Sequence, residues 1–344
     1  MIPTMSRALL ALATAACLAG ATAAQAAEEV NVYTTREPGL AQPLFDRFTE
    51  ETGIKVNTVF VEKGLAERVA AEGENSPADV LMVVDYGGLI DLTQRGLTQP
   101  IASDIVNSAV PANLRDPAGH WYALSLRARV IYASKDRVGE TTMTYESLAD
   151  PKWKGKICIR SGQHPYNTSL FAAFIAKHGA EAAADYLRAL KANLARKPGG
   201  GDRDGARDIL AGICDLAIGN SYYVGLMRSG RGGDEQKAWG DAIRVIMPTF
   251  DDGQGTHVNI SGASVAKNAP HKANALKLLE FLVSDEAQKI YADANFEYPV
   301  KAGIAPDPII AALGDLKVDP LPLSELAAHR EEASRLVDAV GFDN

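Results

Sequence analysis

The sequence alternates short strand-like and helix-like segments, and this alternation constrains the fold more than any other feature. It begins with an extended segment at Glu29–Thr34 and includes Asp79–Asp85, a continuous apolar run typical of a parallel strand buried on both faces. The alternation restarts near Thr144. Strands that alternate with helices predict a parallel-rich sheet with helices on both faces. The chain of 344 residues is therefore predicted to be an α/β protein with two such units.

Two long extended segments, Trp121–Ser134 and His257–Ala266, are predicted to connect these units. A chain that leaves one unit, builds a second and returns forms two lobes joined by two crossing hinge strands, as in periplasmic binding proteins. We expect residues 27–127 and 258–344, with the C-terminal helices, to form lobe 1, and residues 128–257 to form lobe 2. The cleft between the lobes is the expected ligand site.

The N-terminus predicts export. Arg7 precedes the apolar run Ala8–Ala24, and the segment ends in Ala24-Gln25-Ala26, a small-x-small cleavage pattern, so residues 1–26 are predicted to be a secretory signal peptide. Cys17 lies in a poor match to the lipoprotein box. The net charge of −8 disfavours nucleic acid and anionic lipid as partners. After the signal peptide no apolar stretch could span a bilayer, so we expect a soluble, exported protein. We also expect it to be a monomer.

Two cysteines, Cys158 and Cys214, remain after the signal peptide, and each lies in a strand-like context. In an oxidising compartment a bridge between them is favoured over free thiols. Two isolated cysteines do not supply the four ligands of a structural zinc site. A disulfide here would make the two strands neighbours in lobe 2.

Three tyrosines are the candidate ligands in lobe 2. Tyr222 and Tyr223 follow the strand-like run Leu216–Ile218, and Tyr166 follows the Cys158 strand. If the cysteines are bridged, all three phenols leave the ends of adjacent strands. Phenols are poor general acids or bases near neutral pH, but they are good oxygen ligands for a hard trivalent cation such as Fe(III). The alternative is that these tyrosines are ordinary half-buried strand aromatics.

Seven segments, in order along nearly the whole mature chain, resemble the periplasmic ferric-ion-binding proteins of bacterial ABC iron importers. They are Val32–Pro38, Ser76–Leu81, Leu126–Tyr132, Leu194–Pro198, Gly219–Tyr223, Gly255–Gly262 and Glu297–Val300. The resemblance implies a class II binding-protein fold, periplasmic capture of Fe(III), and delivery to an ABC transporter permease in the inner membrane.

The same resemblance assigns roles to individual residues. It implies that Tyr166, Tyr222 and Tyr223 bind the iron together with a synergistic carbonate. Arg127, on the first crossing strand, matches the position that binds the carbonate, and Ser161 and Gly162 match a turn that meets this anion. From the residues alone, the strand that carries Arg127 and Arg129 has two interpretations. It is either a sheet edge whose arginines form salt bridges, or a crossing strand that directs an arginine into the cleft.

The chain departs from other branches of the family in the loop after Arg36. Those branches have a His-Tyr pair that can bind iron, whereas this chain has Glu37-Pro38. Proline cannot bind iron through its side chain, so that ligation mode is excluded. Glu37 has three open interpretations: an iron ligand, a neighbour of the anion, or a carboxylate that stabilises the start of a helix. Arg36 and Glu37 complete the group of candidate anion-binding or neighbouring residues.

Two other functions are alternatives to iron binding for this sequence. The same two-lobed fold could bind an inorganic anion or a polyamine for import, using Arg127 or the acidic residues. A secreted hydrolase or transferase would need a nucleophile with a base, and the sequence contains no Gly-x-Ser-x-Gly or HExxH motif. We therefore expect a binding protein and not an enzyme.

Overall fold

The computed structural model describes residues 28–344. The predicted signal peptide and Cys17 lie outside these residues. Among the described helices, none is long and apolar enough to cross a membrane.

Strands and helices alternate through most of the described chain. The strands are β1 (Glu29–Thr34), β2 (Lys55–Phe60), β3 (Val80–Val83), β4 (Thr98–Gln99), β5 (Tyr122–Ser134), β6 (Ile157–Cys158), β7 (Leu216–Asn220), β8 (Ile243–Ile246), β9 (Val258–Ala266) and β10 (Tyr298–Pro299). The helices before the second crossing strand are α1 (Pro38–Thr52), α2 (Leu65–Glu72), α3 (Tyr86–Gln94), α4 (Asp104–Ala109), α5 (Pro165–His178), α6 (Ala180–Ala192), α7 (Asp202–Leu210), α8 (Ser221–Arg228) and α9 (Asp234–Ala242). Those after it are α10 (Lys272–Leu282), α11 (Asp285–Asn295), α12 (Pro308–Ala311), α13 (Leu323–Ala328) and α14 (Arg330–Ala339).

The strands form a mixed sheet in the order β2-β1-β3-β9-β5-β7-β6. β1 pairs in parallel with β2 and β3, and β6 pairs in parallel with β7. β9 pairs antiparallel with both β3 and β5. This mixed α/β architecture confirms the predicted fold class.

β5 belongs to both halves of the molecule. Up to Ala128 it pairs with β9 and β10, and from Arg129 onward it pairs with β7 and β8. Every residue of β5 and of β9 is buried, including Arg127 and Arg129 in the middle of β5. The predicted lobe boundary between residues 127 and 128 lies one residue before this change of partners, and the assignment of residues to two lobes stays a prediction.

The structure contains a disulfide between Cys158 and Cys214, whose Cα atoms are 5.9 Å apart. The bonded cysteines bring β6 beside β7, with Ile157 opposite Leu216. The strand adjacency that the tyrosine hypothesis needed is therefore present.

Two elements differ from what the sequence predicts. The sequence predicts a helix over 169–178, but α5 begins at Pro165, because proline is favoured in the first turn and His164 accepts a hydrogen bond from the Tyr166 N–H at 3.2 Å. The sequence also predicts a helical, mostly surface-like tail over 324–340, and the structure has two helices there, α13 and α14. The α14 helix packs against α5 and α6, and Phe342 is fully buried with its ring 5.7 Å from that of Phe171.

Candidate metal centre

The three tyrosines meet where helices α5 and α8 begin. α8 follows β7 without a loop, so Tyr222 and Tyr223 lie in its first turn, and Tyr166 lies in the first turn of α5. The Oη atoms of Tyr166 and Tyr222 are 3.5 Å apart, and the ring centres of Tyr222 and Tyr223 are 4.0 Å apart. The structure thus brings together the three phenols that the sequence analysis singled out.

The phenols line a pocket of about 400 Å³ between the two halves of the molecule, which we call the cleft pocket. Its walls come from the loops after β1 and β3, from β5, from α7 and α8, and from the end of α11. The lining residues are Thr35, Arg36, Glu37, Leu40, Val84, Arg127, Tyr166, Arg203, Tyr222, Tyr223, Leu226, Ala294, Asn295, Phe296 and Glu297.

Burial keeps two of the phenols protonated. It raises the pKa of Tyr222 well above its usual value, and the neighbouring Tyr166 and Tyr223 add to this shift. Burial also raises the pKa of Tyr223, with further contributions from Tyr166 and Asp202. A phenolate in this pocket therefore needs a bound cation to stabilise it.

Arg127 reaches the cleft pocket from the middle of the sheet. Its Nη2 donates to the carbonyl of Val84 and, at 2.7 Å, to that of Ile260. Its guanidinium carbon lies 5.5 Å from the ring centre of Tyr166. The Nε atom is buried and has no hydrogen-bond partner among the described residues, so one donor of Arg127 is left unsatisfied by them.

Arg36 also lines the pocket, but protein groups occupy both terminal nitrogens of its guanidinium. Nη1 donates to Asn295 at 2.9 Å, and Nη2 donates to Ser261 and, at 2.7 Å, to Glu297. Burial raises the pKa of the Glu297 carboxyl, but Arg36 and Arg127 outweigh this and hold that pKa below its usual value. Glu297 begins one of the seven segments that resemble the ferric-ion-binding family, but the sequence did not indicate a role for this residue.

Glu37 is exposed and lines the cleft pocket from the first half of the molecule. It occupies the residue before α1, yet its side chain makes no capping hydrogen bond to the helix. The helix-start interpretation therefore has no hydrogen bond to support it.

Ser161 and Gly162 do not line the cleft pocket. The Ser161 hydroxyl donates to the carboxylate of Asp343 at 2.6 Å, and the Gly162 N–H donates to it at 2.7 Å. The C-terminal tail thus takes the donors that the resemblance assigned to the anion. The sequence could not indicate this, because Gly162 and Asp343 are 181 positions apart.

From the sequence, His164 is expected to be solvated near the site, and Tyr86, at a strand end in the first lobe, is expected at the rim. His164 is instead half-buried against the Tyr166 ring at 4.5 Å, and burial together with the charge of Arg160 lowers its pKa to about 4. Tyr86, expected at the rim, is fully buried with the Arg330 guanidinium 5.0 Å from its ring centre.

A pocket enclosed by two α/β halves that share crossing strands defines a solute-binding protein. The model of one family, the bacterial extracellular solute-binding proteins, matches residues 75–310. Iron uptake protein A2 of a Synechocystis strain is 43% identical over 316 residues, 91% of this chain and 90% of the relative.

Solved structures agree with this assignment. The Bordetella ferric binding protein is 62% identical in sequence and has a TM-score of 0.89. The match covers 92% of this chain and 100% of the Bordetella chain. A Trichodesmium protein, IdiA or FutA, solved in complex with iron and citrate ligands, is 43% identical with a TM-score of 0.86, and covers 91% of this chain and 99% of its own. The chain belongs to the ferric-ion-binding family of bacterial extracellular solute-binding proteins.

Proposed function

We propose that this protein captures Fe(III) in the cleft pocket through Tyr166, Tyr222 and Tyr223 and delivers it to an ABC importer. The observation that carries the proposal is the 3.5 Å separation of the Tyr166 and Tyr222 hydroxyls, with the centre of the Tyr223 ring 4.0 Å from that of Tyr222. Three phenolates match the charge and the hardness of Fe(III). The iron-binding names of the relatives support the same cargo and do not favour the alternative of a non-metal ligand.

Iron uptake must release protons from the phenols. Burial raises the pKa of Tyr222 and of Tyr223, so both are protonated in the iron-free protein near neutral pH. Metal binding replaces those protons, and the affinity for Fe(III) therefore falls as the pH is lowered. Acidification or reduction to Fe(II), which prefers phenolates less, would each favour release.

A small anion completes the site in this proposal. Arg127, whose Nε has no partner, is the group that would hold it, and carbonate is the anion that the family resemblance implies. The iron and citrate in the Trichodesmium protein support the general idea of an anion beside the iron. Ser161 and Gly162 take no part, since Asp343 occupies their donors. We propose Glu37, across the pocket, as the neighbour of the ion or its anion.

The role is capture and delivery without chemical turnover. The relatives are solute-binding proteins, a class that supplies membrane permeases and does not catalyse reactions. We propose that the protein works in the periplasm, that its halves close about β5 and β9, and that the iron-loaded form docks on the permease.

The test is the visible spectrum of the mature protein loaded with ferric citrate. Wild type is expected to show a broad phenolate-to-iron absorption band, and Tyr222→Phe/Tyr223→Phe is expected to lose it. Tyr33→Phe is the matched control, because the Tyr33 hydroxyl lies in the first half and donates to Glu72 at 3.0 Å. A colourless wild type that takes up no iron would refute the proposal.

The same preparation tests the anion. In carbonate-free buffer the band of the wild type is expected to weaken and to return when bicarbonate is added. Arg127→Gln is expected to abolish this response. A band that is insensitive to bicarbonate would remove carbonate from the proposal and leave the tyrosine ligands in place.

A further inference from the structure

Next to the three tyrosines lies a buried polar cluster, and the sequence did not indicate which residues form it. Its centre is Arg129 on β5, which is 2% exposed. One terminal nitrogen donates to Asp202 at 2.5 Å and to the Asn220 side chain at 3.1 Å, and the other donates to Asn167 at 2.6 Å. The Asp202 side chain is fully buried as well.

The acceptors of Arg129 lie beside the tyrosines in the chain. Asn167 follows Tyr166 directly, and Asn220 stands two positions before Tyr222 at the start of α8. Asp202, the first residue of α7, also accepts the backbone N–H of Asn220 at 2.9 Å. A single guanidinium therefore connects the starting turns of α5, α7 and α8.

We propose that Arg129 and Asp202 are a positioning pair that sets the spacing of the three tyrosines and thereby the affinity for Fe(III). The inference rests on the proposed function. Neither residue is a ligand in it, since both terminal nitrogens of Arg129 donate to Asn167, Asn220 and Asp202.

The geometry requires arginine at this position. A guanidinium presents several donors in a rigid plane, so it can bind three side chains at once, whereas a lysine ammonium is a compact charge on a flexible stem. Groups that orient metal ligands from outside typically change metal affinity by roughly 10- to 100-fold when they are removed. We expect an effect of this size here.

The cluster also places positive charge under the phenols. The guanidinium carbon of Arg129 is 5.9 Å from the ring centre of Tyr166, and that of Arg160 is 5.2 Å away. Arg160 shares Asp202, at 3.3 Å. A substitution of Arg129 or Asp202 is expected to change both the position of Tyr166 and the electrostatic field at its ring. It should therefore change the colour of the iron complex.

The experiment compares Arg129→Lys and Asp202→Asn with wild type in the mature protein. In each variant we expect roughly 10- to 100-fold weaker retention of Fe(III) against a competing chelator. We also expect a shifted phenolate-to-iron band in the fully loaded protein. Asp202→Asn keeps the shape of the side chain and an acceptor for Asn220, so it serves as the second variant if Arg129→Lys does not fold.

The matched control is Arg137→Gln. Arg137 also ties α7 to the neighbouring strands, through Asp215 at 2.6 Å and the Ile209 carbonyl at 2.7 Å, but it contacts no residue adjacent to a tyrosine of the site. It is expected to lower the melting temperature while the iron affinity and the band position stay those of wild type.

The outcomes separate the two proposals. If wild type shows the band and both pair variants keep its position and the wild-type affinity, the positioning role is overturned and iron binding stands. A lower melting temperature with an unchanged band means a purely structural role and also overturns it. If wild type shows no band, the proposed function is refuted, and this inference is refuted with it because it rests on that function.

Discussion

Burial shifts the pKa of single side chains in this molecule, and His257 is a case with a consequence for stability. It lies just before β9, where its ring Nε2 is 2.8 Å from the Ser169 hydroxyl and its backbone N–H donates to the Tyr145 hydroxyl at 3.1 Å. Burial, with the positive charge of Arg129, lowers the pKa of His257 to about 3. The imidazole is therefore neutral in the folded protein at physiological pH.

His257 makes the folded state sensitive to acid. An unfolded histidine has a pKa of about 6.5, so below that pH the unfolded chain binds a proton that the folded chain does not. This contribution to stability is complete above pH 6.5 and is lost as the pH falls toward 3, by at most about 1.4 kcal/mol per pH unit. We predict that His257→Gln makes the free energy of unfolding of the iron-free protein less dependent on pH between 6.5 and 4.5.

Urea titrations at several pH values measure this effect. His329→Gln is the matched control, because that ring is partly exposed and pairs with Glu332 at 3.2 Å. Parallel pH profiles for wild type and His257→Gln would contradict the prediction.

At the level of elements, helix α8 connects the tyrosines to the opposite wall of the cleft pocket. It carries Tyr222 and Tyr223 in its first turn, and one turn later Gly225 faces Phe296, which follows α11. Phe296 has a left-handed backbone (φ 57°), and the Arg231 guanidinium lies 4.5 Å from its ring centre. A Cβ at Gly225 would lie 2.6 Å from the Cβ of Phe296, so glycine is what allows this approach.

We predict that Gly225→Ala separates α8 from Phe296. The added methyl group cannot be accommodated against the Phe296 side chain without a shift, and overpacking of this kind typically costs about 1–3 kcal/mol. Weaker retention of iron and a larger radius of gyration of the loaded protein in X-ray scattering are the expected results. The tyrosines themselves remain, so the band should keep its position.

Gly39→Ala is the control for this substitution, since Gly39 is also helical and a Cβ there meets nothing within 4 Å. It should leave the scattering curve unchanged. Equal scattering and iron retention in Gly225→Ala and wild type would show that the contact with Phe296 is not needed.

The whole molecule is held together by contacts between residues far apart in the chain. The disulfide joins Cys158 and Cys214 across 56 positions, and Tyr166 lies within that loop. At the C-terminus, Arg330 binds Asp85 at 2.5 Å while Asp343 binds the turn before Tyr166, so the C-terminal segment 330–343 contacts both halves.

We predict that Cys158→Ala/Cys214→Ala lowers the free energy of unfolding by roughly 4 kcal/mol, the loop-closure entropy that a bridge of this span removes from the unfolded chain. β6 and β7 still pair through backbone hydrogen bonds, so the iron band should persist. Denaturant titrations with and without reductant measure the effect, and reductant should destabilise only wild type. Loss of colour in the folded variant would mean that the bridge also positions Tyr166.

Local patterns along the chain were sufficient to predict the α/β class, most element positions, the disulfide and the tyrosines at the ends of adjacent strands. Periodicity, glycine and proline placement, and apolar runs reflect near neighbours, and these features are visible in one sequence. The same local patterns predicted the long extended segment that contains β5, whereas its change of partners between Ala128 and Arg129 is visible only in the structure.

Only the tertiary structure decided what lies around those tyrosines. Arg129 and Asp202 are 73 positions apart, and Gly162 and Asp343 are 181 apart, so no local pattern announces either contact. The sequence predicted that Ser161 and Gly162 face an anion, whereas the fold directs them to Asp343. Buried polar groups take whichever partner the packed chain brings within hydrogen-bond distance, and that choice is made by the whole molecule.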